Sequence, residues 1–227
     1  MGAGTGTLPA ESVRAMFDRI AGVYDVMNTV MTAGLHHQWR TRAVDLARVG
    51  PGTRALDVAT GTGDLAIELA SRGGDVVGTD FSEGMLERAR AKAPGITWEQ
   101  ADALALQYAD NEFDAVTVGF GARNFSDLRQ GLREMVRVVK PGGRVVILEI
   151  TTPQKPPLST FFSLWFDRLV PLLGRFDEAY TYLPNSVKRF PGPRELAGEL
   201  ADAGCVDVRW ILTAGGIIAL HHGTVAG

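Results

Sequence analysis

From Thr53 onward, short runs of β-branched and other apolar residues alternate with segments whose apolar positions recur every three or four residues. The runs "RALDVA", "DVVGTD", "ITWEQA", "FDAVTVGF" and "RVVILEI" are short, β-rich and bounded by Gly, Pro or Asp, so each predicts a buried strand. Helical segments between them predict crossovers, and therefore a parallel sheet. In "SDLRQGLREMVRVVK", Leu128, Leu132, Met135, Val136 and Val139 share one face, Ser126 and Asp127 are cap candidates, and "KPGG" stops the helix. Residues 10–50 predict an N-terminal helical cap, whose second helix carries Trp39, Ala43, Leu46 and Ala47 as its apolar stripe. Residues 156–193 predict a helical insertion over the site. A helix at residues 194–203 and strands near "VDVRWILT" and "GGIIALHHG" bring the expected strands to seven. No repeat or low-complexity linker divides the chain, so the pattern predicts one α/β domain over residues 1–227.

Composition narrows the partners. With 23 Lys and Arg against 26 Asp and Glu, the net charge of -3 gives no global attraction to nucleic acid or an anionic membrane. Cys205 is the only cysteine, which excludes an internal disulfide and fits a reducing compartment. Neither a secretory leader pattern nor an apolar run of about 20 residues is found, so a cytoplasmic protein is expected.

The stretch "LDVATGTGDLA" places Gly61, Gly63 and Ala66 at the spacing of a nucleotide-binding turn directly after the first strand. In an open α/β sheet this turn approaches the ligand, and in a dinucleotide site it meets a pyrophosphate. Asp57 and Asp64 flank it, and carboxylates there suit a cationic centre better than a diphosphate. S-adenosylmethionine, with a sulfonium and no phosphate, meets that condition. Asp80 ends the second strand, where a carboxylate can accept hydrogen bonds from ribose hydroxyls of any nucleoside.

"LDVATGTGD", "GTDFSEGML", "QADAL", "FDAVTVGFGARN" and "REMVRVVKPGGRVVILE" together resemble class I S-adenosylmethionine-dependent methyltransferases. More narrowly, "MFDRIAGVYDVMN", "FGARN", "YTYLPNSVKRFPG" and "LTAGGIIALHHG" resemble the ubiquinone/menaquinone biosynthesis C-methyltransferases of the UbiE/MenG type, over nearly all of residues 13–223. The chain departs from that family at Ala122, where leucine is usual. The resemblance implies a Rossmann-like fold with a mostly parallel seven-stranded sheet, helices on both faces and a helical cap. It implies S-adenosyl-L-methionine as cofactor, with Asp57, Gly61, Thr62 and Gly63 at the turn, Asp80 at the ribose, Asp102 and Ala103 at the adenine, and Gly119 under the methionine end. It also implies methylation of a ring carbon of a lipophilic prenylated quinol, most simply demethylmenaquinol, with the benzoquinol of ubiquinone biosynthesis as the alternative.

An aromatic carbon becomes a competent nucleophile when the neighbouring hydroxyl loses its proton. Arg123 and Asn124 follow the fourth strand and are the expected catalytic pair, with Arg123 stabilising the phenolate or holding a water with Asn124. The alternative for Arg123 is a structural ion pair with Asp25 or another carboxylate of the cap. Tyr24, Tyr180 and Tyr182 are candidates for contact with the quinol. His36 with His37 and His221 with His222 are adjacent pairs whose rings diverge, so no metal site is expected, though His221 or His222 remains open as an acid or base. "PLSTFFSLWFDRLVPLLG" is unusually apolar, and reads equally as a core helix of the cap or as a surface for the isoprenoid tail or the bilayer. Peripheral membrane contact and a homodimer are left open; nucleic acid is not expected.

Overall fold

The computed structural model describes Glu11, Arg14, Ala15, Asp18, Arg19, residues 34–153, Thr160 and residues 185–227. Its principal elements run α1 (His36–Ala47), β1 (Arg54–Val58), α2 (Asp64–Ser71), β2 (Asp75–Asp80), α3 (Glu83–Lys92), β3 (Thr97–Gln100) and β4 (Phe113–Gly119). After a single 3-10 turn at Ala122–Asn124 come α4 (Leu128–Arg137), β5 (Val139–Ile150), α5 (Pro193–Asp202), β6 (Cys205–Thr213) and β7 (Ile218–Val225).

The seven strands form one sheet in the order β3-β2-β1-β4-β5-β7-β6. β1 to β5 are parallel, and β7 runs antiparallel between β5 and β6. This is the mostly parallel Rossmann-like class I methyltransferase arrangement. The strand order reverses between β1 and β4, so the loops leaving those two strands diverge from a shared crevice, where ligands bind in such sheets. The loops also touch: a Cβ at Gly121 would lie 2.6 Å from Cβ of Ala59.

Strand alternation divides the core. Leu56, Val116, Val118, Val145 and Ile147 face α4 and α5, where Leu132, Met135, Leu196 and Leu200 meet them. Ala55, Ala115, Val146 and Leu148 face the other layer, where Trp39, Ala43, Leu65, Leu69 and Leu86 pack. The expected stripe of the second N-terminal helix therefore lies on the sheet, making α1 part of a sheet layer. Asp127 caps α4 by accepting the Gln130 N–H at 3.0 Å. α4 ends at Arg137, short of the expected boundary, and Val139 pairs with Phe113 as a strand residue. Cys205 is buried at the start of β6.

Candidate active site

The turn after β1 requires left-handed backbone at Ala59 (φ 50), Gly61 (φ 58) and Gly63 (φ 87). Its two glycines serve different ends. A Cβ at Gly63 would stand 2.5 Å from Cη2 of Trp98, so the missing side chain makes room for the indole. A Cβ at Gly61 would meet no atom within 4 Å, and Gly61 lines the open cleft. Strained backbone recurs across the crevice at Phe120 (φ 60), directly after β4, whose N–H is held by the Leu148 carbonyl at 2.8 Å. Non-glycine residues held in this region concentrate at functional sites.

The structure corrects the electrostatic argument made from the flanking acids. Asp57 is buried beneath the turn, accepting hydrogen bonds from Thr117 at 2.6 Å and Thr60 at 2.5 Å. Burial pushes its carboxyl up to about 6, against the opposing effect of those two hydroxyls. Asp64 is held by Arg40 at 3.0 Å and Lys92 at 2.9 Å. Neither acid is on the cleft wall, so neither presents bare charge to a ligand; the sequence placed them beside the turn but could not say which way they faced. Thr62 is likewise turned away, its hydroxyl accepting from Lys92 Nζ at 2.9 Å.

Asp80 does face the cleft. One carboxylate oxygen accepts the Gly61 N–H at 2.8 Å and the other the Ser82 N–H at 2.9 Å, and the Phe81 N–H also bears on the group, which fixes it while leaving the carboxylate acceptor capacity toward the cleft. Burial raises its pKa to about 6, opposed by those backbone donors. The cleft encloses about 420 Å³ and is also lined by Asp102, Ala103 and Asn124. Asp102 has a local role too, since Oδ1 accepts the Leu104 N–H at 2.9 Å. Gly119 ends β4 but is not on the wall; a Cβ there would come within 3.1 Å of Leu65.

Arg123 sits behind Asn124. Its Nη1 donates to Glu149 Oε1 at 2.7 Å and to the Phe120 carbonyl, and its backbone N–H donates to Glu149 Oε2 at 3.2 Å. The side chains of this pair are only 8% and 1% exposed, so Arg123 is held in a structural ion pair, but with Glu149 of β5 as its acid and not with a cap carboxylate as expected; Asp25, the named candidate, lies outside the described residues. A guanidinium neutralised this closely has less field to offer a phenolate than a bare one. Glu149 and the wall residues Met85, Phe120 and Phe125 were not among the expected site residues. One signal was present: a lone acid near the end of the otherwise apolar run "RVVILEI" needs a buried partner.

Tyr24, Tyr180 and Tyr182 lie outside the described residues, as does most of the apolar stretch at residues 157–174. His221 is buried away from the cleft, donating Nε2–H to the Pro193 carbonyl at 2.8 Å. Burial holds its pKa down to about 4, so it is neutral near pH 7. His222 accepts from Arg144 at 2.7 Å. Among the described residues no group of three His, Cys, Asp or Glu is placed to hold a metal ion, and no helix is long and apolar enough to cross a membrane.

A model of the ubiE/COQ5 methyltransferase family matches residues 6–225. The chain belongs to that family. It is 42% identical to the demethylmenaquinone methyltransferase of Desulfitobacterium hafniense, over 94% of this chain and 90% of that one. It is 45% identical to the enzyme of the same name from Thermus thermophilus, over 92% of this chain and 99% of that one. Identity is 42% to the ubiquinone/menaquinone biosynthesis C-methyltransferase UbiE of Geobacter sulfurreducens, over 96% and 90%. Among solved structures, the [4+2]-cyclase SpnF superposes with a TM-score of 0.71 at 18% identity, covering 99% of this chain and 100% of that one, a likeness of fold alone.

The protein is thus an S-adenosylmethionine-dependent methyltransferase of quinone biosynthesis. Its residues fit that cofactor: Gly61 leaves open space over the turn, and Asp80 offers two fixed acceptors.

Proposed function

We propose that this methyltransferase converts demethylmenaquinol to menaquinol, adding a methyl group to the ring carbon beside a hydroxyl. The observation that carries the reading is identity of 42% and 45%, over nearly the whole chain, to two enzymes named for demethylmenaquinone. The Geobacter relative's name includes both quinones, which supports the benzoquinol of ubiquinone biosynthesis as the second reading.

S-adenosylmethionine supplies an electrophilic methyl group on a sulfonium sulfur. Asp80 would accept the ribose hydroxyls, Gly61 would let the cofactor approach the backbone, and Asp102 would receive the adenine amino group. Phe120 and Phe125 offer aromatic faces to the quinol ring. Asn124, the amide on the same wall, orients the quinol hydroxyl or the water that takes its proton. Arg123 acts one step back, as a positioning residue whose pairing with Glu149 fixes the Gly121–Asn124 turn. With the cofactor bound, the methyl group would pass from sulfur to the ring carbon, the sulfonium would leave as a neutral thioether, and the ring proton would pass to solvent as aromaticity returns.

The apolar stretch at residues 157–174 suits a long isoprenoid tail and a cytoplasmic enzyme working at the inner face of the membrane. Sedimentation with vesicles containing the quinone should then deplete the enzyme from solution. The reaction itself is tested by redox state, because the oxidised ring lacks the ionisable hydroxyl that makes its neighbouring carbon nucleophilic. Under strict anaerobiosis the reduced substrate should be methylated and the oxidised quinone should not. Equal turnover of both would overturn the phenolate route.

A further inference from the structure

Glu11, Arg14 and Asp18 are each helical and are spaced i, i+3 and i+7, a spacing that shares one helix face. A face of three charged side chains is not built for an apolar core. Glu11 and Arg14 line the cofactor cleft, and Asp18 is clasped by the N-terminus of α3. Its Oδ1 accepts from the Ser82 hydroxyl and from the Gly84 N–H at 3.2 Å. An acid at a helix N-terminus is favoured there by the unpaired N–H groups and the dipole, and this one comes from a distant part of the chain. The fit is close, since a Cβ at Gly84 would come within 3.1 Å of that same oxygen.

Ser82 links this contact to the cofactor acid. Its hydroxyl donates to Asp18 while its backbone N–H donates to Asp80, which also holds Gly61. Met85, one turn into α3, lies on the cleft wall with Ala101, Asp102 and Ala103. The clasp therefore sets Glu11 and Arg14 across the half of the cleft bounded by the ends of β2 and β3, where a nucleoside held by Asp80 and Asp102 would lie.

We propose that Asp18 is a positioning residue whose clasp by the N-terminus of α3 holds Glu11 and Arg14 over the nucleoside half of the cofactor cleft, so that these two side chains complete its wall and retard cofactor release. This rests on the cofactor and not on which quinol is methylated. A test that uses no quinol therefore separates failure of the clasp from failure of the proposed reaction.

The test uses the full chain with S-adenosylhomocysteine and 5′-methylthioadenosine, which share the nucleoside and differ in the amino acid. Asp18→Ala should weaken both ligands about tenfold, mainly through faster dissociation, as expected for loss of one charge-assisted latch. Asp18→Asn retains an acceptor and should recover part of that loss. In the wild-type protein, S-adenosylhomocysteine should slow hydrogen exchange of the amides at residues 11–19, and in Asp18→Ala this protection should disappear. If Asp18→Ala does not fold, Asp18→Asn and wild-type exchange still decide the matter. Wild-type dissociation rates in every foldable variant, or exchange at residues 11–19 that ignores the ligand, would overturn the clasp. Weakening confined to S-adenosylhomocysteine would also overturn it, because contact would then be with the amino-acid end.

Discussion

Replacing Arg123 by alanine removes one half of a buried ion pair and leaves Glu149, 1% exposed, with two backbone donors: the N–H groups of residue 123 at 3.2 Å and Ile150 at 2.8 Å. Breaking such a pair costs about 3–5 kcal/mol, since the remaining charge stays desolvated. In a chain of 227 residues, where each kcal/mol moves the thermal midpoint by about 2–4 °C, the loss is roughly 6–20 °C. Replacing both partners by methionine should restore most of it, because an apolar pair of similar volume avoids the charge penalty. The assay is thermal unfolding of the wild type, Arg123→Ala, Arg123→Met, Glu149→Met and the double methionine variant, with single-turnover methyl transfer measured well below each midpoint. Arg123→Ala should be unstable and slow, and Arg123→Lys should recover only part of both losses, having no planar fork. If Arg123→Ala melts within about 2 °C of the wild type, the burial argument fails. If it also methylates at the wild-type rate, Arg123 has no part in holding Asn124.

Asp57 and Asp80 are both pushed from 3.8 up to about 6 by burial, so between those values the native state holds more protons than the unfolded chain. These two acids should pull ligand-free stability down as pH rises from about 4 to about 6, while His221, held down to about 4, and His222, also lowered by burial, push it up over the same window; Asp80→Asn should therefore show a less downward slope of thermal midpoint against pH than the wild type, and an unchanged slope would refute the assignment. Affinity for S-adenosylhomocysteine should move the other way, growing through about pH 6 as Asp80 ionises, and Asp80→Asn should remove that dependence in calorimetry. Gly61→Ala should lose about 1–2 kcal/mol of stability from its left-handed backbone, yet bind cofactor at least tenfold more weakly. Gly63→Ala adds collision with Trp98 and should lose roughly 2–5 kcal/mol by denaturant unfolding; equal behaviour of the two variants would contradict their different roles.

Elements governed by local pattern were legible in the sequence, because burial on both faces of a parallel sheet writes itself as short apolar runs. All seven strands and the helices α4 and α5 fall where periodicity and punctuation placed them, within a few residues. At the site, residue type located the glycine turn and Asp80, but side-chain direction was not readable. Asp57 and Asp64 lie beside the turn in sequence and yet serve Thr117, Thr60, Arg40 and Lys92, all but Thr60 from other elements. Arg123 posed the same problem: whether it faced a ligand or a buried acid depended on Glu149, 26 positions away. The two turn glycines look alike as letters, and only the indole packed against one of them separates their roles.

Methyl transfer to a reduced prenylated naphthoquinol, in a cofactor site built around Gly61 and Asp80, is tested most directly by product analysis. The enzyme is incubated anaerobically with methyl-labelled S-adenosylmethionine and a matched pair of reduced substrates, a demethylated naphthoquinol and the corresponding benzoquinol, and the products are identified by mass spectrometry. One labelled methyl should appear on the naphthoquinol ring carbon, produced by the wild type and lost with Asp80→Ala. Label on oxygen, label on the benzoquinol alone, or no transfer to either ring would contradict the account.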